Sequence, residues 1–200
     1  MPPPESDLRA RLIKAGVDLV AHEGTDALSL REIARRAGVS HGAPRRYFPT
    51  HSTLLAAIAG EGYRALRHQV SEVLARENHA DPRAQLLVLG RMYLDFARMN
   101  RGMFELMFRH DLLRGSQMGL REASLPLFGV LVDLVVRARP DAPAPTVIAG
   151  ALWANLHGIA QLWLWGSLQL AMQADDVDAL LRAALDAHLG PARTGHPTSS

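Results

Sequence analysis

Residues 29–51 hold the densest set of side chains able to meet a polyanion. Arg31, Arg35, Arg36, Arg45 and Arg46 stand against a single acidic residue, Glu32, with His41 and His51 beside them. A local excess of about four charges is the footprint of a small phosphate-facing surface. It is equally the footprint of a solvated helical face, because 21 of the 22 basic residues are arginine and the formal net charge is only +2. Charge alone does not choose between these readings. The order of the elements around it must.

Other chemistry is poorly represented. Cysteine is absent, which removes a disulfide framework, a thiolate zinc site and a Cys nucleophile together. Nine histidines invite a metal or acid–base reading, yet no His-Glu-x-x-His occurs, and His110-Asp111 are neighbours that share no helical face. A Gly-rich phosphate loop and a Gly-x-Ser-x-Gly elbow are also missing. The expectation is therefore no enzyme, no metal and no cofactor. The opening MPPPESDL lacks the basic start and apolar run of a signal peptide, which suits a cytoplasmic protein. With 48% hydrophobic and 21% charged residues in 200, the composition is that of one domain or two small ones.

Almost every periodic stretch reads as helix, so the fold class is all-α with about nine helices. Leu8, Leu12, Ala15 and Leu19 set the stripe of a first helix, ended at Gly24. Ser29-Leu30-Arg31-Glu32 is a capping box: the Ser29 hydroxyl takes the Glu32 amide and the Glu32 carboxylate reaches back. Leu28 and Ile33 form its hydrophobic staple. Gly38 ends that short second helix, and Ser40 caps a third that cannot pass Pro49. Pro44 disfavours helical geometry at Ala43 and removes an amide, so the third helix begins loosely while 45–48 remain helical. A fourth runs from Thr50 to about Asn78, a fifth opens at Asp81-Pro82, and a sixth covers 101–110. The seventh spans 115–139 with a kink or break at Pro126, the eighth 146–174 and the ninth 175–189, before a disordered tail over 191–200.

A short helix, a Gly-containing turn and a second short helix, braced by an amphipathic helix, is the arrangement that lays one helix in the DNA major groove. Ile33, Ala34 and Ala37 let the two short helices pack closely, and Tyr47 and Phe48 anchor the second. Gly42 and Ala43 are small enough for close approach to base edges. Arg45 and Arg46 are long enough to reach a phosphate or a guanine.

The run SLREIARRAGVSHGAPRRYFPTHSTLLAAI, preceded by an amphipathic helix ending in His-Glu-Gly, resembles the TetR family of bacterial regulators over about residues 8–60. Trp153-Ala154-Asn155-Leu156-His157-Gly158 is similar to the Trp-x-x-x-His-Gly signature of one subgroup of its C-terminal domains. The resemblance implies a ligand-responsive repressor that binds double-stranded operator DNA as a homodimer. Residues 1–50 would be the helix-turn-helix domain and 51–190 the ligand-binding and dimerisation domain. Ser29, Arg45, Tyr47 and His51 would contact backbone phosphates. His41, Gly42, Ala43 and Arg46 would face base edges, with Ser40 at the head of that segment. Two positions depart from the family pattern: Arg45 stands where a Tyr is common, and His51 where a Lys is common. The His51 contact should be weaker and pH-dependent. A helical small-molecule-binding protein without sequence-specific DNA binding is the alternative, and Pro44 and His51 lend it support.

In the second half, five of the seven methionines fall between Met92 and Met118 among aromatic residues. Met92, Phe96, Met103, Phe104 and Met107 suit a cavity that changes shape, or equally ordinary core. Trp153 and His157 lie four apart on one helical face, where Tyr63 could meet them, and His157 would offer a small, largely apolar effector a polar handle. Leu152, Leu156, Ile159 and Trp163, with Leu181 and Leu185, form the stripe expected at the dimer interface. Residues 142–174 contain no Asp, Glu, Lys or Arg, long enough to span a bilayer. Asn155, His157, Gln161, Gln169 and Gln173 along it, and poor Lys/Arg flanking, favour a buried helix and no membrane.

Overall fold

The computed structural model describes residues 5–77, 81–113, 117–172 and 176–191. Among these there are ten α-helices, one 3₁₀ turn and no strand. The helices are α1 (Glu5–Glu23), α2 (Leu30–Arg36), α3 (Pro44–Tyr47), α4 (His51–Arg76), α5 (Pro82–Met99), α6 (Arg101–Phe108), α7 (Gln117–Ala138), α8 (Pro145–Leu164), α9 (Ser167–Met172) and α10 (Val177–Leu189). They form two compact units, each discontinuous in sequence: residues 1–68 with 96–126, and 69–95 with 127–200.

The first unit is built on α1. Leu12 and Leu19 from α1, Ile33 and Ala34 from α2, and Leu54 and Ile58 from α4 are fully buried. Burying each of these Leu and Ile side chains stabilises by roughly 1.5–3 kcal/mol, which fixes how α1, α2 and α4 pack. A 3₁₀ turn at Thr25–Ala27 carries the chain from α1 to Ser29, whose Oγ accepts the Glu32 amide at 3.2 Å. The reciprocal half of the expected capping box does not form. Ser29 N–H donates to Ala27 O at 2.8 Å, and the Glu32 carboxylate turns to Arg35 and Arg36, which are stronger, charged donors.

After α2 the chain reverses through Gly38 at φ 67°. Gly38 N–H donates to Arg35 O at 3.1 Å and Val39 N–H to Ala34 O at 3.0 Å, the paired bonds of a Schellman motif. A side chain at 38 would be strained whatever the space around it. Arg11, on α1, donates from Nη2 to Ala37 O and ties this turn to the first helix.

The third helix is shorter than expected. Ser40 does not cap it through its side chain; Ala43 holds the N-cap position and Pro44 the first helical one. Residues 41–43 form a turn, and Phe48 is already extended at φ −130°, ψ 99°. Pro44 sets the start, because its ring fits the first turn of a helix and its own nitrogen donates nothing, and Phe48 sets the end, because the residue before Pro49 is held extended. Ala43, expected to leave helical geometry ahead of Pro44, is instead helical at φ −59°, ψ −41°. Pro44 and Phe48 are buried, and Phe48 N–H closes the single turn onto Pro44 O at 2.9 Å.

The second unit rests on α8 and α10. Leu152, Leu156 and Ile159 of α8 and Leu181, Ala184 and Leu185 of α10 are buried. Asp176 caps α10, its Oδ1 accepting Ala179 N–H at 3.0 Å. Ion pairs of Arg91 with Asp178 and of Arg83 with Asp186 join α5 to α10.

Two further expectations need correction. The helix expected over 146–174 divides into α8 and α9, because Gly166 takes φ 76° and interrupts the hydrogen-bond ladder. Conversely, of the kink or break expected at Pro126 the break does not occur, and α7 runs through it. Residues 192–200 of the expected disordered tail lie outside the described residues.

Candidate nucleic-acid interface

The expected DNA-facing residues all lie in the first unit, but on elements of different kinds. Ser29 is exposed ahead of α2. Ser40, His41 and Gly42 are exposed on the turn, Ala43 is half-buried, and Arg45 and Arg46 project from the one-turn α3. Tyr47 is half-buried. A Cβ added at Gly42 would meet nothing within 4 Å, and its φ lies outside the left-handed region, so neither packing nor backbone geometry demands glycine there.

The arginines divide into two groups. Glu32 Oε2 accepts from Arg35 Nε at 2.8 Å, and Oε1 from Arg35 Nη2 at 2.5 Å and Arg36 Nε at 2.9 Å. Arg36 also donates to Glu23 at the end of α1. Hydrogen bonds from Arg35 and Arg36 hold the Glu32 carboxyl down at about 2, well below its ordinary 4.5. Arg31, Arg45 and Arg46 are exposed and make no ion pair among the described residues. Their guanidiniums keep their forked donors available for phosphate or a guanine edge.

His51 opens α4 and is exposed, yet its Nε2 lies 2.6 Å from Leu28 O and donates to that carbonyl. One ring nitrogen is therefore committed to holding the start of α4 to the end of the 3₁₀ turn. Sequence reading missed this bond, and it missed Arg9, whose guanidinium sits 5.4 Å above the Phe48 ring. Both join residues more than twenty apart in the chain, where no local spacing could signal them.

The residues expected to line a ligand cavity separate. Tyr63, Phe96, Met103, Phe104 and Met107 belong to the first unit and are buried. Tyr63 donates its hydroxyl to Met107 O at 2.9 Å, and burial pushes its phenol up to about 12. A Cβ at Gly62 would fall 2.6 Å from Met107 Sδ and 2.8 Å from Met103 Sδ. Here the methionines are packed against the backbone of α4 and leave no room beside it.

Met92, Trp153 and His157 belong to the second unit. Met92 is half-buried; Trp153 retains 42% exposure. The Trp153 ring lies 6.3 Å from those of Phe128 and His157. His157 is half-buried, its Nδ1 2.9 Å from the Tyr93 hydroxyl and its Nε2 3.4 Å from the Gln161 amide nitrogen. An amide nitrogen only donates, so Nε2 is the acceptor, and Nδ1–H donates to the Tyr93 oxygen. Burial lowers the His157 pKa from its ordinary value and keeps the ring neutral. Tyr93 and Gln161 complete this polar cluster and were not expected in it.

The expected interface residues Leu152, Leu156, Ile159, Leu181 and Leu185 are buried within the one chain, and Trp163 is half-buried. The five buried side chains have little area left to give a partner, whereas Trp163 keeps part of its surface. The exposed stripe of α8 is a different one: Val147, Ala151, Ala154, Leu162 and Trp165 at its end, with Val147 70% and Trp165 64% exposed.

Comparison with known proteins agrees with this architecture. Residues 12–58 match the family model described as bacterial regulatory proteins, tetR family. Residues 86–188 match the tetracyclin repressor-like C-terminal domain. The HTH-type transcriptional regulator BetI of Yersinia pestis (strain Pestoides F) is 35% identical over 92 residues, 46% of each chain. The match thus spans about half the length of that curated relative. A solved protein of unknown function from Rhodococcus sp. RHA1 superposes with TM-score 0.77 at 30% identity, covering 94% of this chain and 97% of that one. Thermus thermophilus FadR, a TetR-family repressor solved with lauroyl-CoA, shares the fold with TM-score 0.65 at 21% identity, covering 96% and 98%. With one family model over the reading head and another over more than half its length, the chain belongs to the TetR family of transcriptional regulators.

Proposed function

We propose that this regulator is a repressor that binds operator DNA as a homodimer and is released by a small, largely apolar effector. Residues 1–50 serve as the DNA-binding domain and 51–190 as the domain for effector and partner subunit. The observation that carries the reading is the helix-turn-helix with Arg31, Arg45 and Arg46 exposed and free of carboxylates among the described residues. Arg45, with Ser29, Tyr47 and His51, meets backbone phosphates. Arg46, with His41, Gly42 and Ala43, meets base edges.

Effector binding belongs to the second unit, where Trp153, Phe128 and Met92 supply apolar surface and the neutral His157–Tyr93 pair supplies polarity. An effector releases DNA only if it binds the DNA-incompetent form of the dimer better than the competent one. The exposed stripe of α8 supports pairing of two subunits, with Ala179, Ala183 and Ala187 of α10 exposed beside Arg182 and Asp186. α8 is long and apolar enough to cross a membrane. We assign it instead to a subunit interface in a cytoplasmic protein, because Asn155, His157 and Gln161 interrupt it and its other face packs on α10. The protein acts by binding, without catalysis or cofactor.

The one-turn α3 favours a second reading, a helical small-molecule-binding protein without sequence-specific DNA binding. Selection of duplexes from a random pool separates the two. The repressor reading predicts enrichment of a twofold-related sequence whose half-sites lie about one helical turn, ~34–36 Å, or a multiple apart. No enrichment favours the second reading.

A further inference from the structure

We propose that Glu32 is a charge clamp that withholds Arg35 and Arg36 from the DNA backbone and so sharpens discrimination between operator and random sequence. The proposal rests on the DNA-binding reading above. Both oxygens of Glu32 are taken by the two guanidiniums, and Glu23 takes the remaining side of Arg36. The four side chains together carry no net charge. Five arginines in the 29–51 segment therefore present three free cations, Arg31, Arg45 and Arg46.

The consequence follows from how binding energy is divided. Phosphate contacts hold a protein on any duplex and carry no sequence information, whereas base-edge contacts carry it. Each added phosphate contact raises affinity for all DNA and steepens the dependence of log affinity on log salt by ~0.9. Exposed ion pairs are individually weak, so a phosphate could draw one guanidinium off Glu32. The carboxylate left behind would then face the phosphate, and the net attraction would not improve. The clamp is also separable from folding of the helix start. Ser29 caps α2 through its own hydroxyl, and the Ser29 amide is satisfied by Ala27 O, so losing the Glu32 carboxylate orphans neither group.

The test is a polarisation titration of the full chain against a short random-sequence duplex, between about 50 and 200 mM salt. Glu32→Gln should bind more tightly than wild type, with a slope steeper by ~0.9 to ~1.8. It should also lose preference for a selected operator over the random duplex. Glu61→Gln makes the same change in net charge ten residues into α4, ~15 Å from its start, and should leave the slope near wild type. The quadruple variant Glu23→Gln/Glu32→Gln/Arg35→Gln/Arg36→Gln, which removes the neutral set whole, should also stay near wild type, and it decides the matter if Glu32→Gln does not fold. An unchanged slope in Glu32→Gln, a slope equal to that of Glu61→Gln, or a loss of ~1.8 in the quadruple variant overturns the clamp. A wild type that binds no DNA overturns the parent reading, and the clamp with it.

Discussion

Arg45 and Arg46 are adjacent and chemically alike, yet they are expected to fail differently. Arg45→Ala should weaken binding to every duplex and flatten the log–log salt slope by ~0.9, because one phosphate contact is lost. Arg46→Ala should cost about 1–3 kcal/mol on the preferred operator and much less on random DNA, because a base-edge contact is lost. Parallel titrations of both variants on both duplexes check this; identical losses on the two duplexes for Arg46→Ala would contradict it. A third residue ties stability to pH. Burial holds His157 neutral in the folded state, while in the unfolded chain it titrates near its ordinary value, 6.5. The unfolded state therefore binds more protons as pH falls below that value, and native stability drops with it. Thermal melts between about pH 7.5 and 5.5 should show wild type losing more stability than His157→Gln; parallel curves would refute the assignment. The Ser29 cap was legible at this scale, since it acts three residues away. The Glu32 partners were not, because the same spacing allows a capping box or an arginine clamp, and only side-chain rotamers distinguish them.

At the scale of elements, prolines set the lengths and their effects depend on position. Pro44 at the first helical position and Pro49 just past Phe48 bound α3 to one turn, while Pro126 sits within α7 and removes one hydrogen bond without ending the helix. Pro126 is exposed, so replacing it removes little packing. Pro126→Ala should therefore stabilise the protein by about 1–2 kcal/mol, less than the full cost of an interior proline because the unfolded chain gains freedom. A rise in melting temperature would bear this out, and an unchanged or lower one would contradict it. The starts of α2 and α5 and the Gly24 and Gly38 stops were readable in the sequence, because each is a local backbone demand, whereas Ser40 misplaced the start of α3. The division of α8 from α9 was not, since Gly166 lies in a long uncharged run where periodicity cannot separate an interrupted helix from a continuous one.

For the whole molecule, the proposed dimer needs an outward face, and α8 has two apolar faces that could supply it. With no charge over residues 142–174, the sequence marks neither side as outward, so the stripe at Leu152, Leu156 and Ile159 was as eligible as its opposite. Packing against α10 removes the first and leaves Val147, Leu162 and Trp165 exposed. Leu162→Glu/Trp165→Ser should convert the proposed dimer to a monomer that keeps its helical content, as read by light scattering and circular dichroism. A double variant that remains dimeric would move the interface elsewhere. The methionine-rich stretch was ambiguous for a related reason: side chains that fill a cavity and side chains that line one have the same composition. Only the close approach of Met103 and Met107 to Gly62 decides for packing there.

The central claim is that the short, arginine-bearing helix-turn-helix reads duplex DNA. Its most direct test is titration of the full chain against a duplex selected from a random pool and against a random duplex, across salt. The account predicts tighter binding to the selected duplex at every salt concentration, with log affinity for both falling linearly with log salt. Equal affinity for the two duplexes, or no binding to either at low salt, would contradict it.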